Sequence, residues 1–169
     1  MTTATTATAS TELTDLLSVL ATHRGFLRHT VRGLDDEQAR LTPTVSQLSL
    51  GGLVKHVRNV EESWMRFAVG GAELMESVPS DWENGFRMVE GETLAGLLAD
   101  YEETAAKTER LLRDLDLDTS HPLPVAPWFE PGASWSVRRV VLHLIAETSQ
   151  HSGHADILRE TIDGQKTMG

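Results

Sequence analysis

Apolar residues recur every three or four positions in four stretches of the chain, the period of helices that each bury one face. The first stretch carries Leu13, Leu16, Leu17, Leu20, Leu27, Val31 and Leu34, with Thr11 placed to cap it. The second runs from Ser49 through Leu50, Leu53, Val57, Val60, Trp64 and Phe67 to a Gly70-Gly71 stop. The third follows Thr93 through Leu94, Leu97, Leu98, Tyr101, Ala105, Thr108 and Leu112. The fourth, capped by Ser134, carries Val137, Val140, Leu144, Ala155, Leu158 and Ile162 and closes at Gly164. These patterns predict helices near 11–33, 49–69, 92–116 and 134–163. Asp35-Asp36-Glu37-Gln38 reads as a short turn with helical character, and Thr42-Pro43 breaks the chain. Residues 72–90 show no period, and 116–133 hold Pro122, Pro124, Pro127 and Pro131 and read as a loop. No stretch alternates as a strand would. The expected fold is all-α, a four-helix bundle with two long crossover loops. Residues 1–10, rich in Thr and Ala, are expected to be a disordered tail, with 11–169 forming the bundle.

At 169 residues and 40% hydrophobic content, the chain suffices for one domain with a sizeable core. It has no cysteine, which excludes disulfides, cysteine-ligated metal clusters and a cysteine nucleophile. Any thiol chemistry must borrow its thiol. The net charge of −10 argues against nucleic acid as a partner. No apolar run approaches a membrane span and no secretory pattern opens the chain, so a cytoplasmic location is expected. The zincin HExxH, the G-x-S-x-G elbow and the phosphate-binding glycine loop are all missing, and Gly51-Gly52 lacks the lysine such a loop needs.

The chemistry concentrates in the last helix, in His143, Glu147, His151 and His154. Glu147 and His151 stand one turn apart, roughly 40° around the axis, and His151 falls inside the apolar stripe. A carboxylate and an imidazole facing a bundle interior need a partner, and a divalent cation would satisfy both. His56, the one histidine of the second helix, is the best third ligand. Two imidazoles and a carboxylate suit zinc with one coordination position open, and nickel, iron or manganese accept the same set. Glu/His pairs at this spacing also occur on solvated helix faces, so spacing alone leaves both readings standing. His143 and His154 are candidate catalytic or supporting donors to Glu147 or to substrate, against the plainer reading of half-exposed histidines bonded to water or a carboxylate. His23 and His29 read as surface or boundary residues, His121 as solvated and Trp64 as core. Trp82, Trp128 and Trp135 either line a pocket mouth or pack the loops down. Glu61 and Glu62 read as a solvated face, one of them able to orient His56 or pair with an arginine.

Two motifs carry a resemblance. Leu50-Gly-Gly-Leu-Val-Lys-His56-Val with Glu61-Glu62-Ser-Trp64 resembles the second helix of the DinB/YfiT-like metalloenzymes. Ser134-Trp-Ser-Val-Arg-Arg-Val-Val-Leu-His143, continuing through Glu147, His151-Ser-Gly-His154-Ala-Asp156, Arg159-Glu160 and Asp163-Gly164, is similar to the last helix of their actinobacterial branch. The resemblance implies a four-helix bundle holding a divalent metal through His56, Glu147 and His151. Many members place histidine where this chain has Glu147; a His–Glu–His set is that of mycothiol-dependent maleylpyruvate isomerases. Those isomerases have a further C-terminal domain that these 169 residues lack, so isomerase activity is not expected to carry over. The branch implies transfer of a low-molecular-weight thiol such as mycothiol to a small electrophile, and pairing into a homodimer. A metal-dependent hydrolase and a non-catalytic, stress-linked metal-binding dimer stand as alternatives.

Overall fold

The computed structural model describes residues 10–79, 81 and 83–167. The expected disordered tail, Ser10 apart, and Trp82 lie outside the described residues. Helix α1 (Thr11–Thr30) is followed by the single-turn α2 (Asp36–Arg40), then α3 (Leu50–Glu76), α4 (Leu94–Asp114) and α5 (Val137–Asp163). Between α4 and α5 lie two three-residue strands, β1 (Ser120–Pro122) and β2 (Ser134–Ser136), paired antiparallel with His121 opposite Trp135. The four long helices are the four expected from the apolar period, with α5 against α1 and α3, and α4 against α3. No helix among the described residues is long and apolar enough to cross a membrane.

Several boundaries differ from expectation for local reasons. The cap of α1 is Ser10, whose hydroxyl accepts from the Leu13 amide, so Thr11 is already helical. Asp35 and Gln38 close a capping box on α2. The cap of α5 is Ser136 rather than Ser134: β2 runs from Ser134 through Ser136, and the helix begins only after it, with the Ser136 hydroxyl accepting from the Arg139 amide. The strands escaped the sequence reading because three residues are too few to show alternation. In α3 the helix does break at Gly70-Gly71, where Gly71 takes φ +72°, but one more turn follows to Glu76. A left-handed residue is cheap only for glycine, and here it re-aims the chain without ending the helix.

The core divides in two along the bundle axis. One half joins Leu27, Val31, Leu50, Leu53, Val57, Tyr101, Ala155 and Leu158; the other joins Leu13, Leu20, Trp64, Phe67, Leu112, Val140 and Leu144. Between them every long helix places a buried polar residue: Arg24 on α1, Glu61 on α3, Thr104 and Thr108 on α4, Thr148 and Ser152 on α5. Arg24 Nε donates to Glu61 Oε2 at 3.1 Å, Nη2 donates to Oε1 at 2.5 Å, and the Thr108 hydroxyl donates to Oε1 at 2.6 Å. Glu61 is thus not a solvated residue; only 1% of it is exposed, and it pairs with an arginine from a neighbouring helix. Three charge-assisted bonds offset the cost of burying the pair.

Candidate metal centre

Two helices and one linker build the site at the level of this polar waist. His56 projects from α3, and Glu147 and His151 from α5 one turn apart. Their donor atoms all lie within 4.8 Å of one another. Both imidazole Nε2 atoms approach the same carboxylate oxygen, Glu147 Oε2, His151 at 3.4 Å and His56 at 3.8 Å. The other oxygen, Oε1, faces His143 Nε2 at 3.8 Å. The sequence therefore predicted a set of residues that the fold brings together across two helices.

The spacing bears on whether a cation fits. Separations of 3.4 and 3.8 Å are long for hydrogen bonds. Donors held tetrahedrally at about 2.0–2.2 Å from a zinc ion stand roughly 3.3–3.6 Å apart. The two imidazole-to-carboxylate separations come close to that distance, all three donors lie within 4.8 Å of one another, and their chemistry, two imidazoles and a carboxylate, is that of a three-ligand zinc site. The imidazole of His151, then that of His56, hold the Glu147 carboxyl well below the usual carboxylate range despite partial burial. The anionic form is the one a metal needs.

The first long linker closes one side of the site. Phe86 stacks on His56 with ring centroids 3.8 Å apart and lies 5.9 Å from His151. Gly51 and Gly52 make this approach possible. A Cβ on Gly52 would stand 1.8 Å from the Phe86 carbonyl oxygen, and one on Gly51 2.1 Å from Met88 Sδ. Buried Lys55 pins the same linker, donating to the Arg87 carbonyl and pairing with Glu92 at 2.8 Å. Arg40 donates to the carbonyls of Met88, Val89 and Glu92. The glycine pair at the start of α3 thus serves close packing, which its sequence context alone did not show.

On the opposite side His143 is gripped by two indoles. Trp64 and Trp135 stack at 4.7 Å, and His143 meets them edge-on at 4.9 and 5.2 Å. Burial there lowers the His143 pKa, against the attraction of Glu147, and favours the neutral imidazole. Arg139 covers Trp135, its guanidinium 4.6 Å from the ring. Trp64 is core, as expected, and Trp135 packs its loop down, while Trp128 stays 70% exposed. His154 meets His151, its Nδ1 3.3 Å from His151 Nδ1, and the histidines that approach Glu147 are His56, His143 and His151.

The remaining histidines stand apart. His23 is half-buried and His29 exposed, matching a boundary and a surface position. His121 departs from the solvated reading: it is half-buried, with its Nε2 3.2 Å from the Ala68 carbonyl and its ring edge-on to Phe67. The β-hairpin folds it onto Gly71, whose missing side chain leaves the room. Phe86 was the residue that sequence reasoning missed, since nothing in an aperiodic linker marks one aromatic as a neighbour of the site.

No curated protein sequence matches the chain significantly. A family model described as mycothiol-S-transferase matches residues 15–164, which takes in all four long helices from Asp15 onward, both linkers and every residue of the His–Glu–His set. With the family matched over most of its length, and the motifs of its second and last long helices agreeing, the chain belongs to the mycothiol-S-transferase family.

Proposed function

We propose that the protein transfers a low-molecular-weight thiol of the mycothiol type to a small electrophile, using one divalent cation, zinc first among candidates, held by His56, Glu147 and His151. The observation that carries this reading is the convergence of two imidazole Nε2 atoms on one carboxylate oxygen at hydrogen-bond-breaking distances, in a chain without a thiol of its own. Such a cation supplies charge that stabilises a thiolate at neutral pH.

The chain's own groups divide the remaining work. Glu147 presents Oε2 to the two ligand imidazoles, and its Oε1 lies 3.8 Å from His143 Nε2. His143 stays neutral because of its burial and is the group to take up the thiol proton at Nε2. His151 can use Nε2 as a ligand only if Nδ1 carries its hydrogen, and that hydrogen then points to His154 Nδ1. His154 is therefore a positioning residue that sets the ring of His151. Phe86 and the Trp64–Trp135 pair flank the site and limit water around the reacting sulfur. In the transfer, the thiol loses its proton, a carbon–sulfur bond forms, and the leaving group departs with its electron pair.

The test is cobalt-loaded protein titrated with mycothiol. The proposal expects a sulfur-to-cobalt charge-transfer band that saturates with one thiol per chain, and turnover of a thiol-reactive fluorogenic electrophile. A protein that binds the metal, gives no such band and hydrolyses esters or amides instead is a hydrolase. One that does neither across a broad panel is a binding module.

A further inference from the structure

Arg139 stands on the same face of α5 as the metal set. It lies one turn before His143 and two turns before Glu147, and it is exposed at the rim of the site. Its guanidinium rests over the ring of Trp135, 4.6 Å from the centroid. Trp135 in turn meets the His143 ring edge-on at 5.2 Å, so two short steps join the guanidinium to the imidazole beside Glu147. The charge of Arg139 is felt there, adding to the burial that keeps His143 neutral.

Among the described residues no carboxylate lies within ion-pair distance of Arg139. Its neighbour Arg138 takes Glu12 and Asp118, and Glu130, the one acid of the loop between β1 and β2, makes no ion pair. Arg110 and Arg113 on α4 also lack a carboxylate, but among the described residues Arg139 alone lies over an aromatic ring. The indole holds the guanidinium while its side-chain N–H groups donate to no described residue, so the fork takes a carboxylate at small further cost in freedom. The charge balance points the same way. With His143 neutral, a divalent cation and Arg139 outweigh Glu147 and one thiolate by a single positive charge.

We propose that Arg139 selects the electrophile: it receives a carboxylate of that substrate, so the protein prefers electrophiles bearing an acid group over neutral ones of the same shape. The inference rests on the thiol-transfer reading of the His–Glu–His set. Two turns of α5, about 12 Å along the axis, separate Arg139 from Glu147. The acid and the electrophilic carbon therefore belong at opposite ends of a body such as a para-substituted ring. With a benzylic bromide the thiol proton passes to His143 Nε2, the sulfur–carbon bond forms, and the carbon–bromine bond breaks with its electron pair leaving on bromide.

The experiment gives zinc-loaded protein and mycothiol two probes, para-(bromomethyl)benzoate and para-(bromomethyl)benzamide, each rate divided by that of the thiol alone. The benzoate should be favoured in kcat/KM by about 5- to 10-fold, between a surface ion pair and a buried charge-assisted bond. Arg139→Gln should abolish the preference by raising KM for the benzoate with kcat little changed, because the carboxylate is bound alike before and during reaction. The benzamide kinetics should not move. Calorimetry reads the same contact without turnover: the benzoate thioether of mycothiol should bind more tightly than the benzamide thioether by the same factor, and Arg139→Gln should level the two. Arg110→Gln, which removes a cation from α4, should change neither. Equal use of the two probes by the parent overturns the inference and leaves thiol transfer standing. So does an Arg139→Gln variant that slows both probes alike, which makes Arg139 a prop for Trp135 and His143. An equal effect of Arg110→Gln overturns it too, since the preference is then one of overall charge. A mycothiol-induced cobalt band weakened in Arg139→Gln assigns the cation to the thiol and overturns it as well. No turnover of either probe, together with no cobalt band, ends the transfer reading and this inference with it.

Discussion

Replacing Glu61 by alanine removes one half of a buried ion pair and leaves the other half in place. Arg24 is 5% exposed, and its remaining acidic neighbour is Glu109 at 3.7 Å, a single long contact. The Thr108 hydroxyl loses its acceptor at the same time. Breaking a buried pair in this way costs about 3–5 kcal/mol, a large share of the roughly 5–15 kcal/mol that holds a domain folded. At about 2–4 °C per kcal/mol for a chain of this size, the melting temperature should fall by about 6–20 °C. The assay is thermal and urea unfolding followed at 222 nm on metal-free protein, so that metal binding does not mask the loss. Arg24→Met combined with Glu61→Leu should recover most of it, since a packed apolar pair avoids desolvating two charges. A Glu61→Ala loss below about 1 kcal/mol, the range of a surface pair, would refute this account of the polar waist. So would a double variant no more stable than the single one.

Gly52→Ala should drive a methyl into the Phe86 carbonyl, cost about 1–3 kcal/mol as overpacking does, and weaken metal binding by moving Phe86 off His56; a competition titration with a chelator reads the second effect. His154→Ala should reduce metal affinity by about 10- to 100-fold through the freed His151 ring, whereas His143→Ala should keep the metal and lose turnover, which paired metal and activity assays separate. In the metal-free protein Glu147 has a lowered pKa, so its stabilising contribution is present above the ordinary carboxyl range near 4.5 and is lost as the pH falls through the lowered range. Melting temperatures measured from pH 5 down to pH 2 should therefore fall less steeply in Glu147→Gln than in the parent.

How much of this was legible in the sequence depends on the range of the interaction concerned. Helix period and glycine or serine punctuation are local, and they located all four long helices to within a few residues, apart from the turn beyond Gly70-Gly71. The Glu147–His151 pair is local too, and the choice of His56 followed from its being the one histidine on the facing helix. The polar waist left a trace that periodicity alone could have exposed. Arg24 occupies the empty place between Leu20 and Leu27 in the stripe of α1, and Glu61 the place between Val57 and Trp64 in that of α3. Reading Glu61 as solvated followed its charge where its position pointed inward. Phe86 and His121 were out of reach, because each is placed by a linker pinned through backbone carbonyls to Lys55 and Arg40 or through hairpin pairing. Those contacts join residues far apart in the chain and have no period to betray them.

The central claim, that His56, Glu147 and His151 hold a metal with a position left for a thiol, is tested most directly by X-ray absorption at the zinc edge of the loaded protein, before and after adding mycothiol. The account predicts one zinc per chain with a first shell of nitrogen and oxygen at about 2.0–2.2 Å, and a single sulfur appearing at about 2.3 Å with the thiol. Zinc that fails to bind stoichiometrically, that remains bound when His56 and His151 are both replaced by alanine, or that shows no sulfur with saturating mycothiol would contradict it.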